Sequence, residues 1–319
     1  PNQKEWYGIG LAISYRGVSL GAEGTDVNSA ILYVQPDGST LLETGVFENG
    51  QGAESAMILI ASEQLGLPLE RIRYRMPSTS NIPDGGSTVA SRGTIMGGGA
   101  VINASIILKQ IITETIQKIT GKSVAYFKDS KLLDSSDNLI MSWDEAIKLC
   151  YDNQVYPYAF GVFQPPQISW DEETGQGNAY FTWVYGCQAV ELKVNPQTGA
   201  VELLNMIAAH DIGKVINPYA LKGQYYGGMA MGAGYALFEN CPCENGLVVP
   251  TNFHNYRPPR SINLPEMKAI FIENPDPISP SGAKGIGEPA NEIMAPAIAN
   301  AIYHATGKRY HSLPIRIKI

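Results

Sequence analysis

A chain of 319 residues is long enough to build about two domains around a sizeable buried core. Its net charge of −7, with no basic run, excludes a nucleic-acid binder, and no unbroken apolar segment reaches the ~18 residues of a membrane span. Only 17% of residues are charged, against ~25% in a typical domain, and 33 are glycine, so much of the surface is expected to lie against a ligand or partner subunits.

The opening Pro-Asn-Gln-Lys-Glu has no signal-peptide pattern, which sets the expectation of a cytoplasmic protein. Strands are expected at Trp6–Arg16, at Ala30–Val34 and, after the turn Pro36-Asp37-Gly38, at Ser39–Val46. Ala53, Ala56, Met57, Ile60 and Ala61 then recur at helical spacing up to Leu65, with Gly66 placed to end the helix. A short strand at Arg71–Met76 leads into a Ser/Thr/Pro/Gly loop from Pro77 to Arg92, and Met96–Ile116 reads as a long buried helix. The polar stretch Gly121–Asp137 reads as a join between two subdomains, residues 1–135 and 136–319. Ser142-Trp143-Asp144-Glu145 fits a capping box opening a helix to Tyr151. Phe181–Val194 and Ala200–His210 form an expected hairpin around Asn195–Gly199. A buried helix at Gly223–Glu239, a strand at Leu264–Glu273 and a helix at Ala290–Ala305 complete an α/β or α+β layer structure.

Four cysteines, Cys150, Cys187, Cys241 and Cys243, offer one close pair where zinc or iron–sulfur sites need two. They read as free thiols. His210 and His254 stand beside no nucleophile in a recognisable pattern and read as structural or interface residues. Gly97-Gly98-Gly99 lacks the strand–turn–helix setting of a dinucleotide fingerprint.

The stretch with most chemical content is Gly282-Ala283-Lys284-Gly285-Ile286-Gly287-Glu288-Pro289. Its three glycines allow the backbone to pass close to something bulky. Pro289 suits the first helical position and places Glu288 at the N-cap, where orphan N–H groups and the helix dipole favour an ionised carboxylate. Such a group serves either as an ordinary capping residue or as a general base. Gln51, between Gly50 and Gly52 at a helix start, is either a capping amide or a neutral donor to a close ligand. The loop Thr88–Gly93 offers small side chains and backbone N–H groups for oxygen-rich ligands, or is a plain surface loop, with Arg92 pairing a phosphate or lying solvated. Tyr15, Tyr225 and Tyr226 fall near these segments and line either a substrate funnel or a subunit contact.

In chain order, Glu48–Gly52, Thr88–Gly93, Asn217-Pro218, Gly223-Gln224 and Gly282–Pro289 resemble the molybdenum-cofactor-binding subunit of the xanthine dehydrogenase/aldehyde oxidase family of molybdenum hydroxylases. The likeness runs from about Gly8 to Pro314 but covers the second half of that subunit only. The first half's glycine-rich phenylalanine loop and arginine motif are missing. A large subunit split in this way is similar to nicotinate dehydrogenase of anaerobic bacteria, whose medium molybdopterin subunit has about this size.

The resemblance implies an elongated α+β fold of two mixed α/β subdomains that clasps molybdopterin together with a larger molybdopterin subunit. It assigns cofactor contact to Gly50, Gln51, Gly52, Thr88, Ala90, Ser91, Gln224 and Gly287, with Gln51 donating to the metal's oxo ligand and no side chain ligating the metal. Glu288 is the implied base, taking the proton of the hydroxyl that attacks an electron-poor ring carbon. The implied cofactor is the molybdopterin cytosine dinucleotide with molybdenum and a sulfido or selenido ligand. Iron–sulfur and FAD subunits would carry the electrons to NADP, and the substrate would be nicotinate, giving 6-hydroxynicotinate. A purine or other aromatic hydroxylase, and a non-catalytic scaffold subunit, are the competing implications.

Overall fold

The computed structural model describes residues 5–318, and the Pro-Asn-Gln-Lys start read above for a targeting signal lies outside them. Strand β1 (Trp6–Gly17) is followed by β2 (Asn28–Val34) and β3 (Thr40–Thr44), an antiparallel pair turned at Gly38 with a φ of 78°. Helix α1 (Ala53–Leu65) stops where Gly66 turns left-handed and its N–H returns to the Ser62 carbonyl, as its sequence predicts. β4 (Ile72–Tyr74) then adds parallel to β3.

Helix α2 (Gly93–Thr120) is 28 residues long, with a mean hydropathy of 1.5 in its most apolar 18-residue window. By length and composition it could cross a membrane, which a reading of unbroken apolar runs missed because Asn103, Ser105 and Lys109 interrupt the run. In the fold, 67% of that window is buried, and Leu108, Ile112 and Ile116 lie wholly inside the core. Gly97, Gly98 and Gly99 are interior to this helix, where a Cβ would overlap Val46, Ile60 and Phe163 in turn. The triple glycine is thus a close-packing device, which removes the dinucleotide reading.

β5 (Tyr126–Lys128), β6 (Lys131–Leu133) and β7 (Leu139–Ser142) form a small antiparallel sheet where a polar join was expected. Strands of three and four residues separated by positive-φ turns at Asp129-Ser130 and Asp137 are too short to show an alternating pattern. α3 (Trp143–Asp152) opens with the expected capping box, the Ser142 hydroxyl accepting from the Glu145 N–H. β8 (Tyr158–Phe163) pairs antiparallel with β2, and β9 (Ser169–Asp171) with β10 (Gln176–Asn178). β11 (Trp183–Val194) and β12 (Val201–Asp211) make the long hairpin. α4 (Pro218–Ala233) starts after its N-cap Asn217, five residues before the glycine-rich stretch, and widens into a π turn at Gly234–Phe238. The small hairpin β13 (Cys243–Glu244) and β14 (Leu247–Val248), strand β15 (Glu266–Ile272), and helices α5 (Pro289–Glu292) and α6 (Met294–Thr306) complete the order.

The larger sheets run β4-β3-β2-β8 and β1-β11-β12-β15, giving the expected α+β architecture. The first packs against α1–α3 around Leu32, Met57, Ile112 and Trp143, and the second against α4–α6 around Leu192, Met206, Tyr225 and Ile298. The chain threads between them. β1 lies in the second sheet, β8 in the first, and the start of α2 puts Ile95 and Met96 into the second core. That threading brings the two sides together at the N-terminus of α2, where the cleft forms.

Candidate active site

The Glu288 loop is fastened to the end of β12 before it reaches the cleft. Gly213 and Ala283 form a bridge, the Lys284 N–H donates to the Ile212 carbonyl at 2.9 Å, and Lys284 Nζ pairs with Asp211 at 2.8 Å in a nearly buried contact. A Cβ on Gly285 would overlap the carbonyl oxygen of Ser91. The bulky neighbour this glycine accommodates is therefore the Thr88–Gly93 loop of the same chain. Ser91 itself has a positive φ of 50° that turns its hydroxyl to the partner loop. That hydroxyl accepts from the Glu288 N–H at 3.0 Å and donates to Glu288 Oε2.

Glu288 occupies the N-cap position of α5 with helical dihedrals, and its side chain makes no capping bond. Capping is thus the wrong account of this residue. The carboxylate is left to Ser91 and, at 3.9 Å, to Arg16, which pairs more closely with Glu292 at 2.6 Å. The expected single helix behind it is split, because α5 lasts one turn and Ile293 leaves helical dihedrals before α6 begins. Two buried side chains from the sheet hold that turn. His210 Nε2 donates to the Pro289 carbonyl at 3.0 Å and Gln188 Nε2 to the Ala290 carbonyl at 2.7 Å. Burial drives the His210 pKa down to about 4, so the ring is neutral, and a carbonyl partner requires the proton on Nε2. Nothing in the local sequence around His210 or Gln188 signals this role, which depends on strand register.

A cleft of about 360 Å³ lies between the loops. Of the residues singled out from sequence, Gln51, Gly52, Thr88, Ser91, Gln224, Gly287 and Glu288 line it together. Gly50 and Ala90 do not, and the Ala90 carbonyl instead accepts from the Ser19 N–H at 2.9 Å. The Gln51 amide is engaged within its own turn, donating to the Phe47 carbonyl at 2.8 Å and accepting from the Asn49 N–H. The N-terminus of α1 is closed by Glu48, which takes the N–H groups of Gly50, Gly52 and Glu54 at 2.7, 3.0 and 2.9 Å. Burial raises the Glu48 pKa, but these N–H bonds outweigh it and hold the carboxyl below its ordinary range. At this helix start the Glu48 carboxylate, and not a ligand, takes these donors.

Asn217 closes α4 in the same manner, accepting from the N–H groups of Tyr219 and Ala220. Only α2, whose first residues Gly93 and Thr94 line the cleft, begins there without a side-chain cap among these three helices. Its dipole and open N–H groups make it the anion-favouring end of the site. Arg92 is neither solvated nor free for phosphate. It is buried against Asp26 at 2.5 Å and donates to the carbonyls of Ser87 and Val27, which braces the loop. Burial pushes the Asp26 carboxyl up, and bonds from Arg92, Ser19 and Leu20 more than reverse it.

Each cation lining the cleft has a carboxylate partner: Arg92 with Asp26, Lys214 with Glu63, Lys284 with Asp211. Apart from Glu288, the other polar side chains are neutral amides and hydroxyls, among them Asn49, Gln224, Asn291, Thr88 and Thr94. Donors of this kind plus one open helix end fit a large, oxygen-rich anionic ligand. Of the tyrosines weighed for a funnel, Tyr225 is buried beside His210, Tyr226 is half-buried and Tyr15 lies exposed on β1. His254 is exposed, and the four cysteines are free and line no part of the cleft.

Residues 1–265 match a family described as the molybdopterin cofactor-binding domain. The xanthine dehydrogenase molybdenum-binding subunit of Escherichia coli is 28% identical over 318 residues, which is 98% of this chain and 41% of that protein. The nicotine 6-hydroxylase large subunit of Paenarthrobacter nicotinovorans is 27% identical, covering 93% of this chain and 37% of that protein. Quinoline 2-oxidoreductase from Pseudomonas putida has the same fold, with a TM-score of 0.85 and 22% identity over 95% of this chain and 39% of that one. The chain thus spans about two-fifths of the length of these relatives. An uncapped helix end, a neutral donor wall and a carboxylate set by a serine hydroxyl meet in a chain matched over most of its length, and on that basis it belongs to the molybdopterin cofactor-binding domain family of the xanthine dehydrogenase/aldehyde oxidase group of molybdenum hydroxylases.

Proposed function

We propose that this chain forms one wall of the cofactor site in a multi-subunit molybdenum hydroxylase acting on an N-heteroaromatic acid, with nicotinate as the substrate. The observation that carries it is Glu288: a carboxylate at the cleft wall, not capping its helix, set by the hydroxyl of another cofactor-motif residue. A bound molybdopterin would supply the two-electron acceptor and acidify the oxygen nucleophile derived from water. The open end of α2 and the amides and hydroxyls of Gln224, Thr88 and Thr94 would hold its anionic and oxygen-rich parts.

Glu288 would receive the proton of the attacking hydroxyl on the carboxylate oxygen that Ser91 leaves free. Ser91, His210 and Gln188 keep that carboxylate and its turn in place, so the base is oriented before substrate arrives. All three lining cations already face carboxylates, so the group that pairs a substrate carboxylate comes from the companion subunit. Cytosine dinucleotide attachment, a sulfido or selenido ligand, iron–sulfur and FAD partners passing electrons to NADP, and a cytoplasmic location complete the proposal. A relative named for 6-hydroxylation of nicotine supports pyridine-ring chemistry at the same carbon.

Glu288→Gln in the assembled enzyme is expected to lower turnover by about two to four powers of ten with molybdenum content unchanged. Near-normal turnover removes Glu288 from the base role. It would favour the scaffold reading, to which the engaged amide of Gln51 already lends weight.

A further inference from the structure

The helix-facing side of β1 is built from every second residue of the strand, Gly8, Gly10, Ala12, Ser14 and Arg16. α6 packs directly on the first two, since a Cβ on Gly8 or Gly10 would overlap the carbonyl oxygen of Ala301 or Ala297. The row stays small until Arg16, which reaches α5 instead. Two carboxylates meet the guanidinium there. Glu288 and Glu292 stand four positions apart, on one side of a single helical turn, and the Glu292 N–H donates to the Glu288 carbonyl at 3.2 Å.

Arg16 is shared unequally between them. Its Nη1 donates to Glu292 Oε1 at 2.6 Å, a direct charge-assisted bond, while its Nη2 stops 3.9 Å from Glu288 Oε1. Ser91 already donates to Oε2 of Glu288, so Oε1 is the oxygen left to take a proton, and it is the one that Arg16 faces. The side chains of Arg16, Glu288 and Glu292 are exposed to 37, 35 and 24%, so water screens the attraction across the 3.9 Å gap. Contact would change that. A guanidinium bonded to Oε1, with Ser91 on Oε2, leaves the carboxylate no oxygen without a donor. The separation of Arg16 from Glu288 thus decides whether the base is available.

We propose that Glu292 is a positioning residue, which holds Arg16 back from Glu288 and so keeps Oε1 open as the proton acceptor. The inference rests on the base role proposed above for Glu288. Among the described residues, Glu288 and Glu292 are the carboxylates within 4 Å of Arg16. With the charge of Glu292 removed, Glu288 is the partner that remains, and a shift of about 1 Å brings the guanidinium to hydrogen-bond distance. Arg16 is not among the residues lining the cleft, so it acts on the carboxylate and not on the substrate.

The test measures kcat and KM per bound molybdenum in the assembled enzyme for the parent, Glu292→Gln, Arg16→Gln and the double variant. Glu292→Gln is expected to lower kcat by about tenfold to a hundredfold with KM little changed, and adding Arg16→Gln is expected to restore most of that loss. An ion pair that only braced α5 would behave otherwise, because deleting its second member does not rescue deletion of the first. A double variant no faster than Glu292→Gln therefore overturns the inference, as does parental kcat in Glu292→Gln. Raised KM with parental kcat in Arg16→Gln also overturns it, since Arg16 would then be a substrate anchor. A crystal structure of the Glu292→Gln complex gives a readout apart from turnover. Arg16 within about 3 Å of Glu288 supports the inference, and Arg16 turned away from it counts against. Where Glu292→Gln prevents assembly, a crystal structure of the parent complex decides: Arg16 bonded to Glu292 and clear of Glu288 is the supporting result, and Arg16 bonded to Glu288 the opposing one. Glu288→Gln separates the two readings. If that variant keeps its turnover, the base role fails; if it is slow while Glu292→Gln is parental, only the holding role fails.

Discussion

His210 shows how far one side chain can act from the groups that touch a ligand. It is fully buried, its Nε2 holds the Pro289 carbonyl, and its pKa of about 4 lies below the 6.5 of a free imidazole. Between those values the unfolded chain binds a proton that the folded chain refuses, so stability rises with pH across that window. The contribution is complete above pH ~6.5 and is lost as pH falls toward 4, on the order of 3 kcal/mol in all. Comparing urea midpoints at pH 7 and 4.5 should show a steeper fall in the parent than in His210→Gln. Parallel curves would contradict the assignment. At this scale the sequence was partly legible. Glu288, Ser91 and Gln224 stood in recognisable motifs, and the cleft gathers them. Gln51 also reaches the cleft, with its amide bonded within its own turn, while Arg92 misled, because an arginine can also brace a loop from inside. His210 and Gln188 left no local trace, since their partners lie 79 and 102 positions away.

Elements were read best where periodicity is long or punctuation is strong. α1 ends at its glycine, α3 opens on its capping box, and the β11–β12 hairpin turns at Asn195–Gly199, all as expected. β8 escaped notice because Tyr158–Phe163 is a short run interrupted by Gly161, which suggests a break. The glycine is there because β8 crosses directly over α2, where a Cβ would overlap the backbone nitrogen of Ala104. Gly161→Ala is expected to cost about 1–3 kcal/mol in denaturant unfolding. Gly227→Ala, on an open side of α4, should instead gain up to about 1 kcal/mol from helix propensity. Equal stability of the two variants would mean that α2 can yield at this crossing. The same economy of space explains the three consecutive glycines of α2, whose composition resembles a nucleotide loop while their setting is a helix interior.

On the scale of the molecule, charge and composition pointed to covered surface, and the structure locates one uncovered apolar face on β1-β11-β12-β15. The pairing of β1 with β11 was not legible, since it joins segments about 180 residues apart with no pattern that names the partner. If the site is shared with a companion subunit as proposed, the chain purified alone is expected to retain at least about tenfold less molybdenum than the complex, measured by elemental analysis. Equal loading would mean that this chain is a complete host. The seating of Gly285 on Ser91 has a corollary for descent. The two turns fit as mortise and tenon, so neither tolerates redesign by itself. Residues 88–93 and 285–288, though almost two hundred positions apart, are bound to vary as one block whenever a lineage reshapes this pocket.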